Sequence, residues 1–197
     1  MRLFLASIFA ILPSVVWAGT IVSEPTGGIT TQPIGHYDFC QSHPGECKSI
    51  FDQGSLKLSK PLWAKMIKVN NKVNTKIKPM TDQQNYGREE FWTYPDNGFG
   101  DCEDYALEKR RELFKLGFPL SDLLLTVVKQ SNGEGHTVLT VRTDLGDFIL
   151  DNLEGKINPW DKTPYKYLKR QSSSNAGQWV TIIDPRDTAI LTSLITN

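Results

Sequence analysis

The chain is short of net charge, of cysteine and of long apolar runs, and each shortage removes a class of protein. Lys and Arg number 22 and Asp and Glu number 22 among 197 residues. No Lys/Arg cluster is dense enough to follow a phosphate backbone, which excludes a nucleic-acid-binding role. The mixed run from Lys65 to Lys78 reads instead as the solvated side of a helix. Beyond the first residues, no apolar segment is long enough to cross a bilayer.

The one long apolar stretch is N-terminal. Arg2 precedes Leu3 to Val16, which is short for a membrane span, and Val16-Trp17-Ala18 offers small residues where a signal peptidase reads. Residues 1–18 are therefore expected to be a secretory signal. The alternative, an N-terminal anchor, lacks a basic stop-transfer flank after Thr20. Removing 18 of the 197 residues takes Arg2 away and leaves 179 residues with a formal charge of −1. A chain of that length buries a sizeable core as one domain. The expected product is periplasmic or secreted, with no membrane insertion of the mature chain.

Export gives the cysteines a meaning, because an exported chain with three of them must leave at least one unpaired. Cys40 and Cys47 flank a Pro44-Gly45 turn that can bring their side chains together. Such a bridge would contribute about 2–3 kcal/mol. Cys102 is then the free thiol. Pairing of Cys102 with one of the others, or a bound metal, is the alternative.

Periodicity orders the rest. Residues 19–36, rich in Gly, Thr and Pro, read as an extended, poorly packed arm before a domain over residues 37–197. A helix is expected from Ser59 to Lys78, capped by Ser59 and stopped by Pro79, with Leu62, Met66, Val69, Val73 and Ile77 on one face. Thr81 to Gly100 reads as a loop whose aromatics, Trp92 and Tyr94 among them, plug gaps or touch substrate. A second helix opens at an Asp101 N-cap and closes at Gly117. Strand signals follow at Leu123 to Lys129, His136 to Arg142, Asp147 to Asp151 and Gln178 to Ile183. Helices followed by a run of antiparallel strands make an α+β fold. His36 and His43 read as surface histidines on the arm, Glu134 as a turn residue, and Trp63, Trp160 and Trp179 as packing residues.

Chemistry concentrates at three places. Cys102 falls in the first turn of its helix, where free amides and the macrodipole favour a thiolate. His136 and Asp151 follow it on strands, and the order Cys, His, Asp supplies a thiol nucleophile, its base and the orienter of that base. Amides at the helix start could hold an oxyanion. Spacing resists the last member, however. A turn at Asp144-Leu145-Gly146 sets Asp151 opposite Leu139, three residues from His136, or about 10 Å away. Either a bulge or strong twist closes that gap, or Asn152 or Glu154 is the orienter. Asp101, Glu103 and Asp104 pose a second difficulty: they suit a helix N-terminus, yet three anions beside a thiol oppose its ionisation. A calcium ion on Asp101 and Glu103 would remove the conflict, solvated caps being the alternative.

Gly100 to Ala106, with Asn85-Tyr86-Gly87, Glu90-Phe91-Trp92, Gly135-His136 and Leu150-Asp151-Asn152 in order, resembles the bacterial transglutaminase-like cysteine peptidases, the LapG-like periplasmic proteases. The resemblance covers about residues 37 to 183. It implies a papain-like or transglutaminase-like core, the nucleophile helix packed on an antiparallel sheet, with Cys102 as nucleophile, His136 as general base and acid, and Asp151 as orienter. It also implies calcium on residues flanking the cysteine, and a protein substrate such as a cell-surface adhesin. It leaves room for an inner-membrane regulatory partner. A transglutaminase-type acyltransferase and a non-catalytic calcium-responsive binding protein are the alternative functions.

Overall fold

The computed structural model describes residues 23–187; the expected signal at 1–18 lies outside them. Its elements run β1 (Thr26–Thr30), α1 (Ile34–Ser42), α2 (Lys60–Lys76), β2 (Lys78–Pro79), α3 (Asp82–Tyr86), β3 (Phe99–Gly100) and α4 (Cys102–Lys115). Then come β4 (Leu123–Lys129), β5 (Gly135–Thr143), β6 (Gly146–Leu150), β7 (Asn158–Pro159), β8 (Lys166–Ser172) and β9 (Asn175–Ile182). Seven strands form one sheet in the order β1-β9-β8-β4-β5-β6-β7, every pairing antiparallel. The fold is α+β, as expected. Among the described residues, no helix is long and apolar enough to cross a membrane.

Local chemistry explains the helices. In α2 the Ser59 hydroxyl accepts the Leu62 amide, Pro61 occupies the first turn, and Met66, Val69 and Val73 are buried on one side. α4 is buried around much of its girth from Glu103 to Arg110, because α2 covers one side and β4 and β5 the other. Leu107 and Leu113 are buried in the resulting core, whereas Phe114 is exposed. The sheet is apolar on both faces. Leu125, Leu139, Leu150 and Trp179 join the helices in one cluster, and Val128, Val138, Ile149, Trp160 and Tyr167 form a second.

The segment expected as a loose arm is largely built in. Thr26–Thr30 pairs with β9, and Glu24 is 3% exposed. A short strand escapes sequence reading when Gly and Thr dominate it, since its hydrogen bonds are made by backbone. Arg170 lies 3.2 Å from the Glu24 carboxylate, and Thr140 donates to it at 2.9 Å. Burial nevertheless pushes the Glu24 carboxyl up to about 7, with Asp147 adding to the push and Arg170 opposing it. Because the folded value lies above the ordinary one, this group contributes stability fully below about pH 4.5 and loses it as pH rises through about 7. Between pH 5 and 8 the native chain should therefore lose about 3 kcal/mol relative to Glu24→Gln. Parallel melting curves of the two proteins check this; parallel pH slopes would refute it.

His36 is the clearest departure from the sequence reading. It is 1% exposed rather than on the surface, accepts the Trp179 indole N–H at 3.1 Å, and is held neutral by burial, its pKa lowered to about 3. Cys40 and Cys47 form the expected disulfide, and Cys102 is free. Glu46, in the bridged loop, accepts from Arg110 of α4 at 3.0 Å, which ties that loop to the nucleophile helix.

Candidate active site

Cys102 is the first residue of α4, and Asp101 precedes it as N-cap. The Asp101 side chain does not cap the helix, against expectation: its Oδ2 accepts the Asp82 amide at 3.2 Å, and its Oδ1 is buried without a partner. Gly100 is required just before it, since a Cβ there would meet the Asp104 carboxylate at 2.7 Å. That close approach lets Asp104 turn back and accept the Thr93 amide at 2.9 Å, fixing the aromatic segment beside the helix start. A Cβ on Gly35 would likewise strike the Trp92 ring at 2.2 Å. Trp92, Cys102, Glu103, Gly135, His136 and Thr137 line one cleft of about 380 Å³.

His136 and Asp151 meet directly. The distance from His136 Nε2 to Asp151 Oδ1 is 2.8 Å, with both side chains almost wholly buried. The turn between β5 and β6 uses two residues, Asp144 and Leu145, and pairs Leu139 with Leu150. Asp151 thus falls across from Val138, one place nearer than the three-residue turn allows. A shift of one residue changes the face of a strand, so Asp151 shares the face of His136 instead of opposing it. Of Asp151, Asn152 and Glu154, Asp151 is the one that His136 contacts. Burial works to raise the Asp151 carboxyl, but hydrogen bonds from His136 and Tyr165 hold it below the ordinary value.

The thiol has a different partner. Cys102 Sγ donates to Glu103 Oε2 at 3.0 Å. Burial raises the thiol well above its usual pKa, the Glu103 charge raises it further, and the Thr137 backbone amide opposes both. Glu103 itself is pushed up to about 9 by burial and by Asp101. Asp82, in the capping-boxed helix α3, completes a trio with Asp101 and Glu103 whose carboxylate oxygens lie within 4.8 Å of one another. Asp101 and Glu103, the calcium ligands expected from sequence, are thus two of three. Asp82 lies 19 residues before Asp101, in a stretch taken for loop, and the parallel pair β2 and β3 brings the two together. Asp82 Oδ1, Asp101 Oδ1 and Asp104 Oδ2 are buried without partners. Hard oxygen donors left unsatisfied and crowded together fit a calcium ion.

Known proteins share this fold. The structure is similar to Legionella pneumophila LapG, at 27% identity over 70% of this chain and 79% of that one, with a TM-score of 0.53. The EGTA-treated form of the same protein matches at 26% identity and a TM-score of 0.53, covering 70% of this chain and 80% of that one. Its calcium-bound form matches in fold at 24% identity, covering 69% and 82%, again with a TM-score of 0.53. Among curated proteins, none matches in sequence. The profile of the family described as bacterial transglutaminase-like cysteine proteinase matches residues 26–187. With a free cysteine at a helix start and a His–Asp pair in the same region, the chain belongs to that family of cysteine peptidases.

Proposed function

We propose that this cysteine peptidase is an exported endopeptidase that cuts a protein substrate, such as a cell-surface adhesin, with Cys102, His136 and Asp151, and that calcium supports it. The observation that carries this reading is the 2.8 Å contact of His136 Nε2 with Asp151 Oδ1 beside the cleft holding the free thiol of Cys102. Asp151 occupies Nε2 and leaves Nδ1 to exchange a proton with the thiol. Cys102 Sγ then attacks the substrate carbonyl, forming a C–S bond as the C–O π electrons move to oxygen. Free amides at the start of α4 face the developing oxyanion. His136 returns the proton to the leaving amine, and water, deprotonated by the same imidazole, cleaves the thioester.

Asp82, Asp101 and Glu103 are the residues that would hold calcium. Bound there, the ion supplies positive charge that offsets the acidic cluster opposing thiolate formation. Glu103 is the pivotal residue, because the same carboxylate accepts the thiol proton at 3.0 Å and belongs to the acidic trio. Engaged as a ligand, it no longer holds Cys102 in the protonated, diverted state.

The test compares the N-termini of envelope proteins from cells carrying the native chain with those carrying Cys102→Ala. New N-termini should appear only with the native chain. A labelled amine joined to the substrate without chain shortening would instead establish acyl transfer.

A further inference from the structure

Tyr165 stands outside the triad, in a segment that joins the short strand β7 to β8, and no sequence pattern marks it. Its hydroxyl donates to Asp151 Oδ2, and its ring lies 5.5 Å from that of His136, centroid to centroid. The other carboxylate oxygen, Oδ1, takes the His136 contact at 2.8 Å and the Leu153 amide at 3.0 Å. Among the described residues, three donors thus set the plane of this carboxylate. The Leu153 bond is made two residues along the chain, so it fixes position more than rotation. Tyr165 is the donor that stops the carboxylate from turning.

Tyr165 is itself held from behind. Its carbonyl accepts from Arg186 Nη2 at 2.9 Å, while Arg186 also binds the Thr163 carbonyl at 2.9 Å and the Asp184 carboxylate at 2.7 Å. On its outer side lies a cavity of about 320 Å³ lined by Asp151, Leu153, Glu154, Lys156 and Tyr165. Without the hydroxyl, Asp151 Oδ2 would face that space and water would compete for it.

We propose that Tyr165 is a positioning residue of this enzyme: its hydroxyl clamps Asp151 in the orientation that aligns His136 with Cys102. The inference rests on the proposed triad. It assigns Tyr165 no contact with substrate, and its effect is transmitted wholly through Asp151.

The test uses calcium-saturated native protein, Tyr165→Phe, Asp151→Asn and the double variant. Two quantities are read: the rate of Cys102 alkylation by iodoacetamide at neutral pH, and the NMR resonance of the His136 ring N–H that faces Asp151. Tyr165→Phe should slow alkylation about tenfold, in line with loss of a hydrogen bond to a charged group. It should also shift or broaden the His136 ring proton. In the Asp151→Asn background the same change should do nothing further, since a residue acting through Asp151 has nothing left to act on. Native alkylation and an unmoved ring proton in Tyr165→Phe would overturn the proposal, as would losses that multiply in the double variant. Native alkylation in Asp151→Asn, with the ring proton still moved by Tyr165→Phe, would instead sink the triad reading, and the clamp's catalytic meaning with it.

Discussion

Cys102→Ala and His136→Ala are each expected to reduce peptide-bond cleavage to background, Cys102→Ala with a melting temperature close to native and His136→Ala with a lower one. Each removes a chemical participant, but Cys102 is half-buried at the cleft whereas the buried His136 ring is the partner of the buried Asp151 carboxylate, so only its loss also disturbs the interior. General acid–base transfer by a positioned side chain accounts for about 10²- to 10⁴-fold in rate. Loss of the nucleophile costs all covalent catalysis. Asp151→Asn should cost less than either, though still up to about 10⁴-fold, since the imidazole remains while its orientation, tautomer and charge stabilisation weaken. The substrate found by N-terminal comparison provides the assay, and calorimetry of each variant the fold check. Full activity in Asp151→Asn would remove Asp151 from the mechanism despite its contact with His136.

Chelation of calcium is expected to lower both stability and Cys102 reactivity. If the acidic cluster binds the ion at about 100 times its dissociation constant, the native state gains about 2.7 kcal/mol. For a domain of this size that corresponds to a fall of about 5–10 °C on adding chelator. Alkylation of Cys102 should slow in parallel, because Glu103 is again free to accept the S–H hydrogen bond, at 3.0 Å, that keeps the thiol protonated. Asp82→Asn is the most telling variant. It removes one oxygen ligand 20 residues from the nucleophile, and an effect on alkylation that vanishes in metal-free protein passes through the ion rather than through the lost charge beside Glu103. Calorimetric titration of the metal-free protein should show binding that Asp82→Asn weakens. No heat at millimolar calcium, with undiminished activity in chelator, would leave the cluster without a metal.

The raised carboxyls of this cluster show why its role could be sensed from sequence but not completed. Asp101, Glu103 and Asp104 are adjacent in the chain, so their conflict with a neighbouring thiol is a local electrostatic fact. Burial, which pushes Glu103 up to about 9 and Asp104 to about 8, is not local, because it needs the covering segments from Asp82 to Tyr94. Asp82 joins the trio only because β2 and β3 pair and set α3 against the start of α4.

Local sequence determined much of the scaffold. Helical spacing with Ser59 and Pro61 at its start places α2, and β4 spans Leu123–Lys129, the same residues that its apolar run marks. Cys40 and Cys47 pair across a turn short enough to be read directly. These features depend on residues within one or two turns of chain, where propensity and hydrophobic period act alone. Tertiary structure decided what crosses longer distances: the inclusion of Thr26–Thr30 in the sheet, the burial of His36, and the clamp from Tyr165. It also decided the face on which Asp151 lies. A single residue in the β5–β6 turn separates an orienter about 10 Å from its histidine from one in hydrogen-bond contact, and side chains alternate faces at every residue. Hydrophobic pattern cannot resolve a register to one residue where the strand ends; backbone pairing of Leu139 with Leu150 can.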